Sequence, residues 1–111
     1  MTIGTQYHTD AIRELNDTAR QTLTGVRVVL TPGVQRLGDL YQIMGLVQTF
    51  DKFSEDNDPH GEHDFGSFQH AGETLYWKFD YYDKTLEWGS EDPADPAVTT
   101  RVLTLMLSSE Y

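Results

Sequence analysis

The sequence predicts an α+β fold, an antiparallel sheet of three or four strands covered on one face by helices. Three patterns carry that expectation. Leu75, Trp77, Phe79 and Tyr81 alternate with Thr74, Tyr76, Lys78, Asp80 and Tyr82, and a period of two marks a strand with unlike faces. Residues 10–23 and 39–50 space their apolar side chains as helices do. Ala71-Gly72 and Asp83-Lys84 sit where tight turns fold residues 65–88 into a β-meander.

Taken in order, Thr9 and Asp10 are suited to cap a first helix. Its apolar stripe is Ile12, Leu15, Ala19 and Leu23, and Gly25 ends it. Residues 26–30 are short and β-branched, as a strand requires, and a turn at 31–33 closes them. Asp39 would cap a second helix with Leu40, Ile43, Met44, Val47 and Phe50 facing the core. Gly45 inside it costs roughly 1 kcal/mol against alanine, so it is expected to mark close packing. Strands follow at 65–70, 74–82 and 85–88. Asp95 then caps a last helix with Pro96 at its first position and Val98, Val102, Leu105 and Met106 as its buried stripe. The expected order is α-β-α-β-β-β-α in a single domain, residues 1–111, with an N-terminal helix in 1–24 and the core in 26–111.

Composition removes several classes of function. The chain has no cysteine, which excludes disulfides and thiolate metal sites. It has no apolar run near the roughly 20 residues that cross a bilayer. The first 15 residues lack a basic region followed by an apolar one, so they do not read as a secretory signal, and the cytoplasm is the expected location. The net charge is −10, and its placement matters more than its size. Residues 1–50 balance four acids with four bases, and Arg101 balances Glu110. Residues 51–95 hold thirteen acids against Lys52, Lys78 and Lys84, so the whole excess lies there. Such a field repels phosphate backbones, which argues against direct nucleic-acid binding, and attracts cations or basic protein surfaces.

The densest part of that field is residues 51–64, DKFSEDNDPHGEHD, with Asp56, Asp58, His60, Glu62, His63 and Asp64 within nine residues. An EF-hand loop counted from Asp56 places Gly61 correctly but meets Ser67 where a bidentate glutamate is required, and Pro59 intrudes. A zincin pattern fails on the spacing of His60 and His63. No cofactor is expected, and a divalent cation at His60, Glu62, His63 and Asp64 is the one exception these residue types admit. For acid–base work His63 stands beside Glu62 and Asp64, with Asp80 and Asp83 as further carboxylates. Neither a nucleophile elbow nor a phosphate-cradling glycine loop is present. Turns closed by Asp58 and Asp64 are the bland account of the same residues. For binding, Tyr76, Tyr81 and Tyr82 are interleaved with Asp80, Asp83, Glu87, Glu91 and Asp92. Aromatics among carboxylates suit lysine and arginine, through ion pairs and cation–π contacts.

Three segments carry a likeness to a known family: NDPHGEHDFG at 57–66, WKFDYYD at 77–83 and GSEDPADPAVTTRVLTLMLSSEY at 89–111. They resemble a family of small uncharacterised bacterial proteins, a domain of unknown function found in chromosomes and on plasmids. The likeness runs over 31–111, while residues 1–23 match it poorly. It implies a bacterial, mobile-element setting and brings no activity and no assigned site.

The function expected from these readings is an acidic, non-enzymatic binding module whose partner is a basic protein surface. Its sharper form is a mobile-element inhibitor that mimics nucleic-acid charge against a host defence protein of the CRISPR or restriction kind. The alternative is a small metal- or histidine-dependent enzyme centred on the 56–64 loop.

Overall fold

The computed structural model describes the backbone of residues 2–111 and the side chains of residues 8–111. Helix α1 runs over Thr2–Thr22, strand β1 over Arg27–Leu30, and helices α2 and α3 over Pro32–Leu37 and Leu40–Gln48. Strands β2 (Phe65–His70), β3 (Glu73–Tyr82) and β4 (Thr100–Leu107) follow, and a 3-10 turn at Ser108–Glu110 ends the chain. The four strands form one sheet in the order β1-β4-β3-β2, so β4 is central although it is the last strand made. β2, β3 and β4 are mutually antiparallel, and β1 joins β4 in parallel with Arg27 opposite Val102. The α+β class therefore holds, with a mixed rather than purely antiparallel sheet.

The core lies between the helices and one face of the sheet. Leu75, Trp77 and Phe79 of β3 and Leu103 and Leu105 of β4 meet Val34, Ile43, Val47 and Ala19 from the three helices. The inward face of β2 has almost no room, because a Cβ at Gly66 would collide with the Trp77 indole. The opposite face of the sheet carries Phe65 and Tyr76, tilted against each other, with Tyr111 packed edge to face on both.

Several elements depart from expectation. α1 begins at Thr2 rather than after a cap at Thr9 and Asp10, and its buried face contains Asn16 and Arg20 beside Ile12 and Ala19. Residues 31–33 open a helix instead of only turning, because Pro32 takes the first helical position that suits its fixed φ. Asp39 has a left-handed backbone (φ 49) and makes no side-chain cap; its carboxylate faces His70 Nε2 at 3.4 Å. Gly45 marks no close packing, since nothing lies within 4 Å of where its Cβ would stand. The third strand of the expected meander, residues 85–88, is a loop, and the isolated bridge Tyr82–Gly89 follows it. Asp83 Oδ1 accepts from the amides of Thr85 and Glu87 and from the Thr85 hydroxyl, which curls the chain away from the sheet.

The expected final helix is β4. Val98, Val102, Leu105 and Met106 do recur at helical spacing, but Arg101, Leu103, Leu105 and Leu107 alternate with Val102, Thr104 and Met106 just as well. The β-branched Thr99, Thr100, Val102 and Thr104 favour the strand, and the outcome places Arg101, Leu103 and Leu105 in the core. Asp95 closes a turn through the Ala97 amide, 2.9 Å away, instead of capping a helix.

Candidate functional site

Phe65 begins β2, Tyr82 ends β3 opposite Thr100, and Thr100 begins β4, so the loops at 51–64 and 83–99 leave the sheet at one end. Both are fastened to α1 there. Arg13 donates to the Gly61 carbonyl at 3.0 Å, and Asn16 donates to the Glu62 carbonyl at 3.1 Å. On the other loop His8 Nε2 lies 2.7 Å from Asp92 Oδ1.

The first loop is held by its own carboxylates and amides. Asn57 bridges the Lys52 carbonyl and the Ser54 amide, and buried Asp58 accepts from the His63 amide at 3.1 Å. Gly61 (φ 70) and His63 (φ 53) both take left-handed backbone, which turns the His63 ring inward. That ring stacks on Phe53 at 3.7 Å, with Nδ1 2.8 Å from Asp17 Oδ1 and Nε2 3.6 Å from Asp58 Oδ2. Each ring nitrogen thus faces a carboxylate. A general base needs one nitrogen turned toward substrate instead.

Beneath this loop lies a buried polar chain. Asn16, fully buried, donates to the Tyr81 hydroxyl at 2.8 Å and accepts from Arg101 Nε at 2.8 Å. The Tyr81 hydroxyl donates to Glu62 Oε1 at 2.9 Å. Burial, with Glu62 beside it, pushes the Tyr81 phenol far above its ordinary range, so it remains a donor. Burial and the neighbouring Glu62 also raise Asp64 above 3.8.

The sequence-predicted site residues separate into two sets. Asp58, Glu62, His63, Asp64, Asp80, Asp83 and Asp92 are at least half-buried, and most are taken up in internal bonds; Asp80 pairs with Lys78. Asp56, His60, Glu87 and Glu91 are exposed. His60, Glu62, His63 and Asp64 do not converge, and among the described residues no group of three or more His, Asp or Glu forms a metal-ligand cluster. Tyr76 and Tyr82 are half-buried on the outer face of β3, whereas Tyr81 points inward to the polar chain.

One residue that sequence reasoning placed in a strand stands out here. Trp88 is 72% exposed, with Leu86 40% exposed, between Glu87 and Glu91 in the second loop. Nothing in the sequence separates residues 85–88 from a short strand; the Asp83 carboxylate bonds that hold them as a loop and leave Trp88 outside are seen only in the fold.

Residues 30–110 match the family model described as a protein of unknown function, DUF3768. The chain belongs to that family. No curated protein and no solved structure matches it. The DUF3768 match spans α2, α3, all of β2 to β4 and both acidic loops, and leaves α1 and most of β1 outside.

Proposed function

We propose that this DUF3768 chain is a non-enzymatic binding module whose acidic end takes a basic protein surface. The observation that carries the reading is Trp88, exposed among carboxylates on a loop fastened to the body of the protein. A solvent-facing tryptophan is an unusual expense for a lone chain, and tryptophans with arginines dominate interface hot spots. Glu87 and Glu91 flank it, and Glu55 and Asp56 extend the charge on the neighbouring loop. Arginine is the complementary group, stacking on the indole while pairing with the carboxylates. In its sharper form the acidic end occupies the nucleic-acid groove of a defence protein, with carboxylates standing where phosphates would.

The test is binding to an immobilised arginine-rich nucleic-acid-binding domain at low ionic strength, with duplex DNA as competitor. The expected result is a complex that DNA displaces and that Trp88→Ala weakens by roughly tenfold or more, the effect of a hot-spot residue. The melting temperature of the variant should stay near that of the parent. Absence of a complex, or one indifferent to Trp88→Ala and to Glu87→Lys with Glu91→Lys, overturns the reading.

A further inference from the structure

Two adjoining cavities of ≈ 370 Å³ and ≈ 250 Å³ lie where the end of α1, the start of β1 and the approach to β4 meet, and Gly25, Lys84, Thr99 and Arg101 line both. Arg27 lines the second as well. Three of the chain's eight bases therefore open onto one cleft in a protein of net charge −10.

Among the described residues none of the three has a carboxylate within 4.0 Å. For Arg101 this is unusual, because the residue is only 5% exposed. Buried charges are ordinarily matched by an opposite charge, since desolvation alone costs several kcal/mol per ion. Among the described residues its hydrogen-bond partners are neutral, and Glu62 acts on it only from beyond contact distance. Nε donates to Asn16 Oδ1, Nη2 to the Pro93 carbonyl, and the guanidinium lies 5.2 Å from the centre of the Tyr81 ring. Its Nη1 donates to no group among the described residues. The second buried arginine provides the contrast, since Arg20 pairs with Asp17 and also donates to three carbonyls at the end of α3. Lys84 is held over the cleft by its bond to the Thr99 carbonyl at 3.1 Å, which leaves two ammonium protons free.

We propose that this cleft binds a small organic phosphate monoester, its dianion received by Arg101, Lys84 and Arg27. The Arg101 Nη1 keeps its N–H donors for a phosphate oxygen, and the two further cations match a second negative charge. The volume exceeds what a bare phosphate fills, and Leu15, Ala19 and Pro96 supply an apolar wall for the organic part. Burial draws the Arg101 guanidinium below its ordinary value, and a bound dianion relieves that cost. The cleft shares the 83–99 loop with the acidic end, but neither Trp88 nor any carboxylate lines it, so the two proposals are tested separately.

The experiment is calorimetric titration of the full chain with phenyl phosphate and with inorganic phosphate, alongside thermal melts. The expected result is saturable binding of phenyl phosphate, tighter than inorganic phosphate, with a rise in melting temperature. Lys84→Gln combined with Arg27→Gln changes two exposed side chains, should retain the fold, and should weaken binding by roughly tenfold or more. Arg101→Lys should weaken it too, because one ammonium cannot reach Asn16, the Pro93 carbonyl and the phosphate as the three separated guanidinium nitrogens can. Trp88→Ala should leave phenyl phosphate binding unchanged. No saturation by either probe, or binding that survives the Lys84 and Arg27 substitutions in the folded double variant, overturns the proposal.

Discussion

Glu110 and Asp64 are carboxylates driven in opposite directions by their surroundings, and both directions have consequences for stability. Glu110 accepts from the Thr31 hydroxyl at 2.7 Å and from the Leu107 and Gly33 amides at 2.9 and 3.0 Å, which ties the C-terminal turn to the start of α2. The Thr31 bond first, then the Leu107 amide, holds its carboxyl below the ordinary 4.5. A carboxylate lowered in the folded state stabilises the protein above its unfolded value, and that stabilisation is lost as pH falls through the folded value. Glu110→Gln should therefore melt below the parent at neutral pH, and the gap should close in acid below 4.5. Asp64 has the reverse sign, because burial raises it above 3.8 and its ionisation at neutral pH works against the fold. Asp64→Asn should melt above the parent at neutral pH, with the advantage fading as pH drops toward 3.8. Thermal melts of the two variants across pH check both signs, and a Glu110→Gln deficit that persists undiminished in acid would contradict the first.

At the scale of the element, α3 contains a residue that helix physics would replace. Gly45 lies inside Leu40–Gln48 with no positive φ and open space where a Cβ would point. Gly45→Ala should stabilise by about 0.5–1 kcal/mol, since alanine lowers the entropy of the unfolded chain without meeting a neighbour. Chemical denaturation of the variant should show a higher midpoint at unchanged slope, and a lower midpoint would mean that the helix needs glycine there for another reason. Gly66 is the counterpart, a glycine that the Trp77 indole requires. The two cannot be told apart by sequence, because what separates them is a neighbour from another element. The same limit explains β4. Its apolar residues satisfy both a helical and a strand period; its β-branched residues lean toward the strand, and the parallel pairing with β1 and the antiparallel pairing with β3 complete it. β3 is legible because Leu75, Trp77, Phe79 and Tyr81 alternate over too long a run to fit a helix, and the turn is legible because Gly72 lies between two strand-like runs; the positive φ of Ala71 (53) is not legible there. In the candidate site the residue types of the 51–64 loop were legible and their partners were not. His63 meets Asp17 across 46 positions and Arg101 meets Asn16 across 85, separations that no local pattern encodes.

Across the whole molecule, the charge that defines the acidic end is poorly compensated. Four of the seven ion pairs among the described residues involve histidine and are full pairs only when the imidazole is protonated, which leaves Asp10–Arg13, Asp17–Arg20 and Lys78–Asp80 as the permanent ones. Of the thirteen acids in 51–95, six are exposed: Asp51, Glu55, Asp56, Glu87 and Glu91 on the two loops, and Glu73 at the other end of the sheet. Repulsion among them opposes the compact state and is screened by salt within a Debye length of about 8 Å at 0.15 M. Added sodium chloride should therefore raise the melting temperature of the free protein by roughly a few degrees, the response to a stabilisation of about 1 kcal/mol in a domain of this size. The complex with a basic partner should respond in the opposite sense, because there the same screening weakens attraction. Melts and binding measured over one salt series check the pair of slopes. A free protein whose melting temperature falls with salt would show that its three permanent pairs outweigh the repulsion, and the acidic end would then be a stabilised part of the fold with no unmet demand for cations.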